Sequence, residues 1–200
     1  MYDTPTPEAK QGFAKLSGVL GGVGSFVFES IEAIVIALAI CVVLYLFLVT
    51  PHEVIGRSMQ PNFVEGEYLI ANKLVYKFKD PERGDVVIFK HSPTQDYIKR
   101  VIAVPGDDVS VLDGNYYING EMLDESEYLA DTVYTEGGTF LHEGETYTVK
   151  EGEIFASGDN RPHSTDSRAF GPVKQDDVKG RVWFVYFPLS NFRIIQHPNY

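Results

Sequence analysis

Lys99 stands among Tyr97, Ile98, Val101 and Ile102, where a half-buried strand would not carry a charge. Burying an ammonium costs several kcal/mol, and losing the proton is the usual escape. A buried lysine can fall from about 10.4 to about 5–6, which makes it a general base near neutral pH. Upstream lies a nucleophile for such a base, Ser58 in Gly56-Arg57-Ser58-Met59-Gln60-Pro61. A serine hydroxyl is weak until an adjacent base takes its proton, and Ser–Lys pairs are one variant of the serine-triad logic. The Ser58 backbone N–H is the natural first donor to a developing oxyanion.

A second hydroxyl, Ser164 in Pro162-His163-Ser164-Thr165-Asp166, could hold a neutral lysine without adding the charge that would raise its pKa. Asp166 and Arg168 are alternate residues of a segment read as extended, so they share a face and form an ion pair. Gly158 suits close approach of another chain, and with Asp159 to Arg161 it fixes tight backbone beneath the site. Each residue also has a plainer reading. Ser58 and Ser164 could be turn residues, and Lys99 could snorkel to water as Lys73 and Lys90 do. Met59, Pro61 and Phe63, close behind the serine, could be ordinary core or an exposed rim resting on a bilayer.

The elements that must position these groups follow from the apolar pattern. Ala33 to Val49 contains no charge, and extended back to Ile31 it approaches the ~20 residues that span a hydrocarbon core. It exceeds a cleavable sequence's h-region of about 7–15 residues, and Thr50-Pro51-His52-Glu53 lacks a small-x-small exit. The spacing predicts a transmembrane helix over 31–50 after an N-terminal tail, 1–30. Its first 12 residues read as disordered and 13–25 as Gly/Ser-rich. Beyond residue 52 the texture changes to period two, with no convincing helix. Strands are expected at 68–75, 85–89, 97–104, 109–112, 116–118, 147–149, 154–157 and 181–187. Turns are expected at Asp113-Gly114-Asn115 and Asn119-Gly120. Residues 51–200 therefore read as one mainly antiparallel β domain, long enough for a core. The acidic, Gly-containing stretch 121–144 reads as an excursion far from the chemistry.

Composition narrows the function. A formal charge of −11, from 17 Lys+Arg against 28 Asp+Glu, argues against nucleic acid, whose phosphates demand a basic surface. It argues equally against tight adhesion of the whole domain to anionic lipid. The single cysteine, Cys41, lies in the apolar run, and the five histidines make no ligand pair at helical spacing, so no metal site is implied. Lys10 and Lys15 before the helix favour a cytoplasmic N-terminus.

Three segments together resemble a known family. Gly56 to Pro61 resembles the serine box of the bacterial type I signal peptidases (leader peptidases). Arg83-Gly84-Asp85-Val86-Val87-Ile88-Phe89, with Lys99 to Asp107, is similar to their lysine boxes. Ser157-Gly158-Asp159-Asn160-Arg161, with Ser164, Asp166, Ser167, Arg168 and Gly171, is similar to their last box. The ordered set covers residues 56–171. Asn62 departs from it, standing where the family usually has threonine. Gly56 stands where some relatives carry a second, serine oxyanion donor, which likens this chain to single-anchor Gram-positive forms.

The resemblance implies a membrane-anchored serine endopeptidase with a Ser58/Lys99 dyad. Ser164 would orient the lysine, and Asp166 and Arg168 would brace the site. It implies removal of N-terminal signal peptides from secreted preproteins after small residues at the −3 and −1 positions, downstream of the export translocase. It implies no cofactor, a single pass through the plasma membrane and an extracytoplasmic catalytic domain. The rivals are a dedicated or self-cleaving Ser–Lys protease, a pilin- or conjugation-specific processing peptidase and a non-enzymatic membrane β domain.

Overall fold

A computed structural model of the chain describes residues 26, 28–45, 48–130 and 132–198. Of the expected tail, 1–30, residues 1–25 and 27 lie outside the described residues, and 28–30 are helical. The chain divides into two units, 1–46 and 47–200.

In the first unit, Phe28–Tyr45 forms one helix, α1, long and apolar enough to cross a membrane. Its large side chains, Ile31 and Leu38 among them, are exposed rather than packed on protein. The predicted helix over 31–50 is corrected at both ends. It begins earlier, and Val49–Glu53 is a strand, β1, paired antiparallel with β2, Tyr68–Asn72. β-Branched Val49 and Thr50 extend the apolar run without being helical, and the ladder from Val49↔Asn72 to Glu53↔Tyr68 takes their backbone groups.

The second unit is antiparallel β throughout, as the period-two pattern predicts. The remaining strands are β3 (Val86–Ser92), β4 (Gln95–Ala103), β5 (Asp108–Leu112), β6 (Asn115–Ile118), β7 (Glu121–Met122), β8 (Thr146–Thr148), β9 (Glu153–Ser157), β10 (Val173–Lys174), β11 (Val178–Phe187) and β12 (Arg193–Ile194). The larger sheet runs β1-β2-β11-β3-β4-β9-β10, with β12 on β11, and the smaller runs β7-β6-β5-β8. The β5–β6 turn places Asp113 and Gly114 at φ 49° and 83°, the left-handed pair that a tight hairpin needs. Two one-turn helices, α2 (Val75–Phe78) and α3 (Ser167–Phe170), go against the expectation of no helix after residue 52.

β3 shows how the larger sheet is buried. Val86 and Ile88 enter one core with Met59, Phe63 and Leu69, while Val87 and Phe89 enter another with Val101 and Ile154. Both faces of this strand are covered, so its apolar run is continuous rather than alternating. A third core joins Val109, Val111 and Tyr116 of the smaller sheet to Ile102 and Phe155 of the larger. Met59 and Phe63 are thus core, each 1% exposed, which overturns the bilayer-rim alternative for both and leaves only Pro61 at the surface.

Candidate active site

Ser58 sits just past β1, where the chain turns at Gly56 with φ +86°. A Cβ there would meet nothing within 4 Å, so backbone conformation alone asks for glycine. Two links then hold the serine. Its carbonyl accepts from the Asn160 N–H at 2.9 Å, and the Phe63 N–H donates to the Met59 carbonyl at 2.9 Å, with both side chains in the core. The Ser58 N–H donates to no acceptor among the described residues, so it remains available to an oxyanion.

Lys99 lies on β4, paired with Val87 of β3. It is 3% exposed, and its Nζ lies 2.7 Å from Ser58 Oγ and 3.1 Å from the Ile98 carbonyl. No carboxylate lies within ion-pair distance of it among the described residues. Burial pulls its pKa from 10.5 down to about 8, outweighing Asp166 and Asp159, which act from a distance. The Tyr97 ring lies beneath the amine, centroid 5.0 Å away. A charged Lys99 donates to the serine, whereas a neutral one accepts its proton across the same 2.7 Å. The pair opens into a cleft of about 310 Å³ whose apolar lining includes Val54, Ile55, Leu69, Ile88 and Ile98. His52 and Asp96 line it as well.

Beneath the pair lies a layer of buried, fully partnered ions. Asp159 takes a forked contact from Arg100 at 2.9 and 2.8 Å and a bond from Asn62 Nδ2 at 2.8 Å. Asp166 caps α3 and accepts from Arg168 Nε at 2.8 Å, Ser157 Oγ at 2.9 Å and the Gly158 N–H at 3.0 Å. The expected Asp166–Arg168 pair is therefore present, but as a helix N-cap rather than alternate residues of a strand. Burial pushes the Asp166 carboxyl up, yet Arg168 and these donors hold it below its ordinary value. Gly158 is the close approach that the sequence suggested. An added Cβ would lie 2.3 Å from Ser164 Oγ and 2.4 Å from the Ser58 carbonyl.

Ser164 does not hold the lysine in this structure. His163 and Thr165 line the cleft, while Ser164, extended at φ −120°, lines a separate hollow of about 170 Å³ with Asp166 and Arg168. Its Oγ is buried without a hydrogen-bond partner, although it stands close enough to Asp166 to help keep that carboxylate ionised. Lys99 Nζ donates to the Ile98 carbonyl instead.

The stretch 121–144 is loop-rich among its described residues, as an excursion should be, but it is not far from the chemistry. Arg161 pairs with Glu125 and donates to Thr135 at 2.7 Å, Arg168 donates to the Glu136 carbonyl at 2.9 Å, and Phe140 and Leu141 donate to the Arg168 carbonyl. This stretch is the underside of the site. Arg100, Arg161, Glu125 and Asn62 are the site residues whose contacts sequence reasoning missed. The available signal was Asn62, because an amide carries two donors where threonine's hydroxyl has one, and both are used, on Asp159 and on the Tyr128 carbonyl at 2.8 Å.

Comparison with known proteins gives concordant results. The family described as "Signal peptidase, peptidase S26" matches residues 27–187. Signal peptidase IB of Staphylococcus aureus (strain COL) is 35% identical over 84% of this chain and 93% of its own. Signal peptidase I of Bacillus caldolyticus is 38% identical over 77% of this chain and 89% of its own. A signal peptidase I crystal structure from Enterococcus faecalis V583 covers 52% of this chain and 97% of its own, at 34% identity and a TM-score of 0.40. With the family matched over most of its length and relatives above one-third identity, the chain belongs to the signal peptidase family, peptidase S26.

Proposed function

We propose that this protein is a membrane-anchored serine endopeptidase that removes N-terminal signal peptides from exported preproteins, with Ser58 as nucleophile and Lys99 as general base. The observation that carries the reading is a 2.7 Å contact between a serine hydroxyl and a buried lysine that touches no carboxylate. Neutral Lys99 removes the Ser58 proton as Oγ attacks the scissile carbonyl. The tetrahedral oxyanion is met by the Ser58 N–H. The C–N bond then breaks, and the lysine hands its proton to the departing amine, leaving an acyl-enzyme. Water attacks that ester, Lys99 takes the water's proton, and Ser58 Oγ leaves with it to restore the free enzyme. Asp159, Asp166, Arg168 and Gly158 act as positioning residues, since they hold the backbone under Ser58 and touch neither reacting atom. Ser164 supports the site by filling the space against Gly158.

Cleavage after small residues at the −3 and −1 positions comes from the family resemblance, and a cleft of this size with short apolar walls suits it. The substrate enters extended and pairs with the cleft's strands, a form of β-augmentation. The anchor reading rests on the apolar helix, with the N-terminus cytoplasmic and the catalytic unit outside, working after the export translocase.

The test is incubation of full-length protein with a preprotein, followed by N-terminal sequencing of the product. Ser58→Ala and Lys99→Ala should each lower turnover by at least about 10³-fold, and the double variant should be no worse than either. Near wild-type turnover in either single variant would refute the dyad. A reporter fused after Tyr200 should be extracytoplasmic, and a cytoplasmic one would refute the topology.

A further inference from the structure

β3 and β4 carry a stack of rings beside the dyad that the reaction does not use. His91 lies face to face on Tyr97, with ring centroids 4.1 Å apart and planes within 8° of parallel. Phe170 of α3 closes on both, 4.9 Å from the His91 ring and 6.4 Å from the Tyr97 ring. Phe89 meets Tyr97 edge-on at 6.2 Å. Phe89 is buried and Tyr97 and Phe170 half-buried, whereas His91 is exposed. Among the described residues His91 makes no hydrogen bond or ion pair, so ring contact alone holds it in this seat.

The pairing register places these groups in a row. Val87 lies beside Lys99, Phe89 beside Tyr97, and His91 beyond them on β3. Alternate positions of a strand share a face, so the lysine, the tyrosine and the histidine follow one another along one side of the sheet. Tyr97 is the wall between the other two, with its centroid 5.0 Å from Lys99 Nζ and His91 laid on its ring. Water at the amine is what would restore its charge, since burial is the main force holding Lys99 low. Asp159 and Asp166 oppose that force and Arg168 aids it. His52 and Glu53 of β1, Arg57 beside the nucleophile, Asp96 of β4 and His163 are the charged or titratable groups on the cleft side. A half-exposed ring changes rotamer within nanoseconds unless something packs on it, and here that is His91 with Phe170.

We propose that His91 is a positioning residue for the lysine: stacked on Tyr97, it pins that ring against the Lys99 amine and keeps water out of the gap, which favours the uncharged base. The proposal rests on the reading of Lys99 as general base and adds the residue that tunes it. The imidazole serves as a flat plate, and its own charge has no part in the effect. His91 touches neither reacting atom and acts only through Tyr97.

The test compares full-length His91→Ala, His91→Gln and His91→Phe with the unaltered protein in detergent. Two readouts are taken across pH, kcat/KM on a preprotein and the acetylation of Lys99 by trace acetic anhydride, followed by mass spectrometry. The second reports the amine's own titration without requiring catalysis. The ringless alanine and glutamine variants should move both midpoints up by about 0.5–1 pH unit, so kcat/KM at pH 7 should fall about 3–10-fold while its value at pH 10 stays unchanged. The phenylalanine variant keeps the plate without an ionisable ring and should hold both midpoints in place. An unmoved labelling midpoint in the alanine variant would overturn the proposal. So would a phenylalanine variant that shifts as far as alanine, since the imidazole's charge would then be what matters, or an equal loss of kcat/KM at every pH. If cleavage shows no acid limb while labelling still separates alanine from phenylalanine, the plate stands and the dyad reading is what fails.

Discussion

Two neighbouring layers of this protein bury cations in opposite ways. In the upper layer Lys99, 3% exposed, touches only a hydroxyl and a carbonyl, and its pKa falls to about 8. In the lower layer Arg161 and Arg168 are as deeply buried, yet their pKa values rise. Desolvation pulls these guanidiniums down too, but Glu125 and Asp166 are in direct contact and win. Burial alone does not decide protonation. The partner decides it, and the two layers differ in whether a carboxylate is allowed to touch the cation. The lower layer's charges are paired with carboxylates, and the upper layer's lysine is not. Gly158 joins them, with Ser58 above and Ser164 beside it.

The largest expected effect of breaking this contrast is in the lower layer. Arg168→Ala leaves Asp166 ionised and buried without its partner, and removing one member of a buried pair costs about 3–5 kcal/mol. Chemical denaturation should show that loss, and replacing Asp166 as well should recover part of it. The opposite sign is expected above. A folded-state lysine pKa near 8 against 10.5 means that the unfolded chain binds the extra proton in between, so stability rises with pH across roughly 8–10.5. Below that window the full penalty applies, and Lys99→Met should stabilise the fold at pH 7 by on the order of 2–3 kcal/mol while removing activity. An unchanged or lowered stability would mean that the lysine is not held at a cost.

Gly158→Ala tests the joint between the layers. Its Cβ would overlap the Ser58 carbonyl and the Ser164 hydroxyl, so a loss of about 1–3 kcal/mol is expected, with kcat falling more than KM rises. The smallest change is Asn62→Thr, which keeps at most one of two bonds and should cost about 1 kcal/mol in denaturation, with little change in the pH profile.

Much of the upper layer was legible in the sequence, because a lysine within an apolar strand and a serine motif are local signals. The antiparallel sheet was legible as well, from alternation such as Leu69 and Ala71 inward on β2. What was not legible depended on distant partners. Val49 and Thr50 continue an apolar run, and only pairing with Asn72 and Ala71 makes them a strand. Glu125 and Thr135 sit in an acidic, polar stretch that reads as surface until Arg161, 36 and 26 residues away, arrives between them. Met59 and Phe63 carry no mark that separates core from rim, and Leu69 and Val86 settle it by covering them. Ser164 lies beside Gly158 close to the Ser58 carbonyl, yet its hydroxyl has no hydrogen-bond partner, which no local pattern in the sequence foretells.

The central claim, that Lys99 works as a neutral base because burial outweighs its carboxylates, is tested most directly by the pH dependence of kcat/KM on a preprotein. That ratio reports the free enzyme's essential groups. Activity should fall on the acid side with a midpoint near 8, as Lys99 takes up a proton, and should persist at higher pH. The midpoint should stay in place when the cleft histidines, His52 and His163, are replaced one at a time by glutamine. A midpoint near 6 that disappears with either histidine would show that the base is not Lys99, and the account of the upper layer would be wrong.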